Sequence, residues 1–200
     1  MQGSASCPAG LPARKRGLGL PGLLLLLAAG CAPGRDLEPM PSYSARTYQL
    51  GSGDQVRIIT YGEDQLTGDF RVDDQEQIAI PLLGTVAVTG LSPEQLAARI
   101  AGELKRRNIM RDPSVSVEVL AYRPIYVLGE VARPGEYPYR PGMTMLTAVA
   151  VAGGFTYRAV QDYAADVRTT DTRSPAIEGL VTTRTLIAPG DVIRVYERRF

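Results

Sequence analysis

The chain has 200 residues, of which 44% are hydrophobic, 22% charged and 6% aromatic: enough apolar content to bury a core, and too little net charge for a disordered polyelectrolyte. Its 21 glycines and 15 prolines exceed the roughly 12% of average usage and argue for turns and short elements over an all-helical bundle. Histidine is absent, which removes His-based triads, imidazole general bases and His-containing zinc sites; no metal and no cofactor is expected.

Residues 1–30 read as a targeting segment. Arg14-Lys15-Arg16 precede an uncharged stretch from Leu18 to Ala29 with five consecutive leucines, Leu23 to Leu27. This is a positive n-region followed by an apolar h-region. Crossing a bilayer takes about 20 apolar residues, and this run is shorter and broken by Pro21. Ala28-Ala29-Gly30 then place small residues before Cys31, a pattern that resembles the lipobox of bacterial lipoproteins, in which the thiol takes a diacylglyceryl group after cleavage. An ordinary signal peptide ahead of a chance cysteine is the alternative. Cys7 leaves with the leader, so acylation resolves an otherwise odd exported thiol at Cys31. Without the leader the 22 basic residues fall to 19 against 21 acidic, a near-neutral body without the basic footprint of a nucleic-acid binder.

Residues 31–46 are rich in Pro, Ser and Gly and read as a flexible tether. The first unit, 47–120, opens through Gly51-Ser52-Gly53-Asp54 into a strand in which Val56, Ile58 and Thr60 alternate with Arg57, Ile59 and Tyr61. Short strands are predicted at Phe70–Val72, Ile78–Pro81 and Thr85–Val88. Ser92-Pro93-Glu94-Gln95 supplies an N-cap, a proline in the first turn and a capping-box Gln, and Leu96, Ile100 and Leu104 follow on one face of a helix of about 13 to 15 residues. Val115, Val117 and Val119 alternate with polar residues in a half-buried strand. The second unit, 121–200, has strands at Ile125–Val131 and Glu136–Tyr139 around a Pro134-Gly135 turn, a small helix Met145–Ala152 capped by Thr144 and closed by Gly153-Gly154, then strands Ala164–Thr169 and Val192–Tyr196. Two strands, a helix and further strands in so few residues suit a β-grasp, and the fold class is α+β with two small β-rich units. Gly53-Asp54-Gln55-Val56-Arg57-Ile58 and Gly190-Asp191-Val192-Ile193-Arg194-Val195 echo one another as Gly-Asp turns feeding strands.

The residues that could carry chemistry are few. Asp69, Asp73, Asp74 and Glu76 form the densest carboxylate cluster, but they lack the order of a calcium loop and enclose Arg71, so a solvated hairpin turn is expected. Lys105, Arg106, Arg107 and Arg111 sit at the helix end, where cations complement the dipole; contact with an anionic polymer or a neighbouring subunit is the other reading. Tyr122, Tyr126, Tyr137 and Tyr139 place four of the ten tyrosines around the first hairpin of the second unit. With Arg123 they suit either a sugar or subunit contact, through Tyr122, Arg123, Tyr137 and Tyr139, or plain core. No serine has an evident base and no Gly-x-Ser-x-Gly occurs, so no catalytic residue and no enzyme activity are expected. A lyase or hydrolase acting through the Asp69–Glu76 carboxylates is the discarded alternative.

These stretches resemble the outer-membrane polysaccharide export lipoproteins of bacteria. Tyr48-x-Leu50-Gly51-x-Gly53-Asp54, Phe70-Arg71-Val72-Asp73, Ile80-Pro81-Leu82-Leu83-Gly84 and Gly90-Leu91 follow the family's export domain. Tyr122-Arg123-Pro124, Val127-Leu128-Gly129-Glu130-Val131, Pro134-Gly135, Tyr137-Pro138, Pro141-Gly142 through Ala152-Gly153-Gly154-Phe155, and Pro189-Gly190-Asp191-Val192-Ile193 follow its soluble-ligand-binding β-grasp module. Ser52 stands where the family usually has Pro, and Gln75-Glu76-Gln77 replaces a turn that usually carries Gly. The resemblance implies a lipid-anchored, periplasm-facing outer-membrane component of capsular or extracellular polysaccharide export. It further implies a homo-oligomeric ring that handles the nascent polysaccharide and meets an inner-membrane copolymerase. Longer members add a second β-grasp module and a C-terminal helix, whereas this chain stops at Glu197-Arg198-Arg199-Phe200, so a separate outer-membrane pore or barrel protein is expected. The alternative function is a monomeric periplasmic sugar-binding lipoprotein.

Overall fold

Strand β1 (Gln55–Thr60) turns Val56, Ile58 and Thr60 inward and every second residue outward, the period of a half-buried strand. In the computed structural model, which describes residues 33–44, 48–170 and 174–198, β1 is the middle of an antiparallel sheet between β2 (Gly68–Arg71) and β5 (Val115–Ala121). A separate hairpin, β3 (Gln77–Ile80) and β4 (Gly84–Ala87), contributes Ile78, Ile80 and Val86 to the same core. Helix α1 (Pro93–Arg106) starts where the sequence places its cap: the Gln95 N–H donates to Ser92 Oγ at 3.3 Å, and the Ser92 N–H donates to Gln95 Oε1 at 2.9 Å. Leu96, Ile100 and Leu104, all at 1% exposure or less, lie on one face of α1 and share the core with Val56 and Ile58.

The second unit contains β6 (Ile125–Gly129), β7 (Gly135–Tyr137), helix α2 (Met145–Val151), β8 (Tyr163–Arg168), β9 (Ile177–Thr182) and β10 (Val192–Val195). The sheet order is β7-β6-β10-β8-β9, and β10 returns parallel to β6 while the other pairs are antiparallel. A final strand laid parallel beside the first, with the helix between the hairpin and the later strands, is the β-grasp arrangement. Met145, Ala148 and Val149 of α2 pack with Ile125, Val127, Val181 and Ile193 of the sheet. The fold is thus α+β, built from two small β-rich units.

Two features depart from the sequence expectation. Strand β9 was hidden by Gly179, a residue that weakens a strand interior. The reason for the glycine is the stretch expected to be a free tether. Residues 33–44 instead lie against the second unit, with Pro39 bridged in parallel to Leu180 of β9. The Met40 N–H donates to the Leu180 carbonyl at 2.9 Å, and the Leu180 N–H donates to the Glu38 carbonyl at 2.8 Å. A Cβ on Gly179 would come within 2.9 Å of Met40 Cα. Met40, 7% exposed, enters the second core, and Tyr163 Oη donates to the Pro33 carbonyl at 3.0 Å. A composition rich in Pro and Ser gives no sign of pairing with a sheet edge, yet covering that edge satisfies backbone groups that water would otherwise hold. No helix among the described residues is long and apolar enough to cross a membrane.

Candidate functional site at the module seam

The echoed Gly-Asp motifs fold into the same turn. In the first unit the Asp54 N–H donates to the Gly51 carbonyl at 3.1 Å, and the Gly51 N–H donates back to Asp54 Oδ2 at 2.8 Å. In the second, the Asp191 N–H donates to the Ala188 carbonyl at 3.2 Å, and the Ala188 N–H donates to Asp191 Oδ2 at 2.6 Å. Gly53 and Gly190 both hold a positive φ, 93° and 86°, which a turn of this kind assigns to glycine. Both carboxylates are fully buried, so each needs a cation or several donors.

Asp54 finds them across the seam. The Arg123 N–H donates to its Oδ1 at 2.7 Å, Arg123 Nη1 donates to Oδ2 at 3.0 Å, and the Tyr48 hydroxyl donates to Oδ2 as well. The same guanidinium donates through Nε to the Pro189 carbonyl at 3.0 Å, inside the second Gly-Asp turn. One arginine therefore ties both turns together. Gly51 and Gly190 lack side chains where Arg123 passes: a Cβ on Gly51 would overlap the guanidinium, and one on Gly190 would sit 3.0 Å from Nε.

Asp191 is served by Arg168, whose Nε and Nη2 donate to Oδ1 and Oδ2 at 2.9 and 2.8 Å. Arg168 also donates to Asp166 Oδ2 at 3.2 Å and to the Pro41 carbonyl at 3.0 Å. Asp166 is fully buried, and its Oδ1 has no hydrogen-bond partner among the described residues. Burial first, then the neighbouring Asp191 charge, raises its pKa to about 8, so near neutrality it keeps its proton.

Tyrosines complete the seam. Tyr122 packs edge-on to Tyr48 of the first core, at 5.0 Å between ring centroids, and to Tyr139 of the second, at 5.4 Å. Beside them opens a cavity of about 230 Å³ whose wall includes Tyr43, Tyr48, Tyr122, Tyr139 and Glu94.

Of the residues expected to make contacts, Tyr122, Arg123 and Tyr139 converge here. Tyr139 is 6% exposed and belongs to the second core, and Arg123 is engaged in the clamp. Tyr137 lies on the β7 edge, its hydroxyl donating to the Arg133 carbonyl at 2.5 Å. Cys31 lies outside the described residues. The acidic cluster is divided among separate uses. Asp69 holds Arg57 in an exposed bidentate pair at 2.7 and 3.0 Å, and Asp73 Oδ1 accepts the N–H groups of Gln75 and Gln77. Glu76, in the turn where a glycine is usual, is buried with φ at 57°. Sequence reasoning missed Asp54, Asp191, Arg168 and Asp166; the repeated Gly-Asp turn was the one signal pointing at the first two.

Comparison with known proteins finds matches to two families along the chain. Residues 42–120 match the family described as polysaccharide biosynthesis/export protein, and residues 124–165 match the SLBB domain. The chain thus carries a polysaccharide biosynthesis/export domain followed by an SLBB module, in tandem. It is 34% identical over 142 residues to the exopolysaccharide production protein ExoF of Rhizobium meliloti (strain 1021), covering 66% of this chain and 32% of that protein. It is 28% identical over 172 residues to the EPS I polysaccharide export outer membrane protein EpsA of Ralstonia nicotianae, covering 80% of this chain and 44% of that protein. To the polysialic acid transport protein KpsD of Escherichia coli it is 30% identical over 109 residues, covering 54% of this chain and 19% of that protein. The chain thus spans less than half the length of each of these relatives.

Proposed function

We propose that this protein is a lipid-anchored, periplasm-facing component of a capsular or extracellular polysaccharide export complex at the outer membrane. It acts as a homo-oligomeric ring around the nascent polymer and works with an inner-membrane copolymerase. The observation that carries the reading is the tandem of an export domain and an SLBB module, matched over 42–120 and 124–165, beside relatives named for polysaccharide production, export and transport. The clamp of Arg123 between the two Gly-Asp turns supports it, because a ring that bears on a moving polymer needs modules held in one relative position. Cys31 supplies the anchor in this reading, since each buried CH₂ of an acyl chain contributes about 0.8 kcal/mol of membrane affinity.

Deleting the gene in its host should abolish surface polysaccharide, and the wild-type chain should restore it. Cys31→Ser should move the protein from the membrane to the soluble fraction, and sedimentation of that soluble form should show an assembly of several copies. Unchanged surface polymer in the deletion strain would refute the export role. A purely monomeric Cys31→Ser protein would favour the second reading, a periplasmic sugar-binding lipoprotein, which the tyrosine-lined cavity also suits.

A further inference from the structure

We propose that the cavity at the module seam is a binding subsite for a single neutral sugar ring within a saccharide chain. The inference rests on the export reading only for the source of that saccharide. A volume of about 230 Å³ corresponds to roughly eight waters, below the several hundred Å³ of a drug-sized site and suited to one pyranose. Its wall is aromatic and hydroxylated: Tyr43, Tyr48, Tyr122 and Tyr139 all border it. A pyranose presents a face of C–H bonds, which meets the negative face of an aromatic ring, and a rim of hydroxyls, which needs donors and acceptors.

Both kinds of partner are present. Tyr43, Tyr122 and Tyr139 present hydroxyls whose pKa values burial raises, so they stay protonated in the neutral range, while the Tyr48 hydroxyl is already donated to Asp54 Oδ2 and Tyr48 offers its ring. Glu94 supplies the acceptor; its Oε2 already takes the Ser92 hydroxyl at 2.7 Å, which aims the carboxylate from the start of α1. Hydrogen bonding from Ser92 holds the Glu94 carboxyl below its usual pKa, so it is ionised and accepts only. Among the described residues of the wall Glu94 is the one acidic or basic side chain, and an anionic sugar would meet it unfavourably. Selection for a neutral ring follows from that sign.

The position adds a consequence. The wall draws on the 33–44 stretch through Tyr43, on the first unit through Tyr48 and Glu94, and on the second through Tyr139. A ring seated there touches all three, so its binding is linked to the seam that Arg123 closes.

The test uses the Cys31→Ser chain, whose lack of tryptophan leaves tyrosine emission readable. Cellotetraose, mannotetraose and galactotetraose are titrated by tyrosine fluorescence and calorimetry, with tetragalacturonate as the anionic probe. At least one neutral tetramer should saturate, and tetragalacturonate should bind about tenfold more weakly or worse. Glu94→Gln, at an exposed helix start, should narrow that gap to about threefold or less, and Tyr122→Ala should weaken the neutral tetramer about tenfold. Tyr122 also supports the seam, so Tyr122→Phe, which keeps the ring, should bind within about twofold of wild type. No saturation by any neutral tetramer up to about 20 mM, or tetragalacturonate binding as tightly as the best of them, would overturn the proposal. Unchanged discrimination in Glu94→Gln would overturn it as well. Surface polymer measured in the deletion strain is a separate readout: export intact without saccharide binding refutes the subsite alone, and binding without an export role refutes the export reading alone.

Discussion

The two Gly-Asp turns have the same backbone and nearly the same internal hydrogen bonds, yet they spend their buried carboxylates differently. Asp54 meets one guanidinium, that of Arg123, and the pair spans the two modules. Asp191 meets Arg168, but that guanidinium must also serve Asp166, so two buried carboxyls share one cation within a single module. The first turn is a balanced cross-link. The second carries one carboxyl too many and resolves the excess by keeping a proton on Asp166. One local motif, repeated in one chain, is therefore a structural bolt in one place and a protonation-dependent joint in the other, and the number of charges brought to it decides which.

The largest expected effect breaks the bolt. Arg123→Ala leaves Asp54 buried without its cation and should cost about 3–5 kcal/mol in urea unfolding. It should also loosen the two units from each other, read as protease cleavage near residues 120–124 under conditions where the wild type resists. If stability changed by less than about 1 kcal/mol, the clamp would not be the element that joins the modules.

A second experiment sharpens the contrast through pH. Asp166 has its folded pKa raised to about 8, against an ordinary value of 3.8 in the unfolded chain, so between those values the folded state holds a proton that the unfolded state has released. Stability from this group is fully present below the unfolded pKa and declines as pH rises towards about 8, at up to about 1.4 kcal/mol per pH unit. Asp166→Asn, which keeps the shape and stays neutral, should flatten that slope. A wild-type melting temperature that rises from pH 5 to pH 8, with the variant following the same course, would show that Asp166 is ionised in the folded protein.

The smallest effect calibrates both. Arg57 and Asp69 form an equally well-aligned bidentate pair, but their side chains are 47% and 54% exposed. Water and salt screen such a pair, so Arg57→Ala should leave the melting temperature unchanged within error. A clear loss there would mean that geometry, more than burial, sets the worth of the ion pairs in this fold.

Much of the local structure was legible beforehand. The alternation of Val56, Ile58 and Thr60 marked β1, the spacing of Leu96, Ile100 and Leu104 marked α1, and Ser92 with Gln95 marked its start. Ends shifted by one or two residues, as at β6, expected to reach Val131 and observed to stop at Gly129. Strand β9 was not legible, because Gly179 is explained only by the Met40 backbone lying on it. The candidate site was half legible: Tyr122, Arg123 and Tyr139 were singled out for their chemistry, while Tyr48, Glu94 and Asp54 join them only through the fold.

By itself the sequence determined the strand and helix periods, the caps, the two Gly-Asp turns and the order of the modules, since each depends on residues a few positions apart. It also carried the short motifs by which the export domain and the β-grasp module resemble their family. Only the tertiary structure decided that Arg123 closes on a carboxylate 69 positions away and on a carbonyl 66 positions away, and that Arg168 reaches Pro41 across 127. Those pairings rest on how two sheets and a covered strand edge dock. A buried charge takes whichever partner the docking leaves within reach, and no pattern of neighbouring residues encodes that distance.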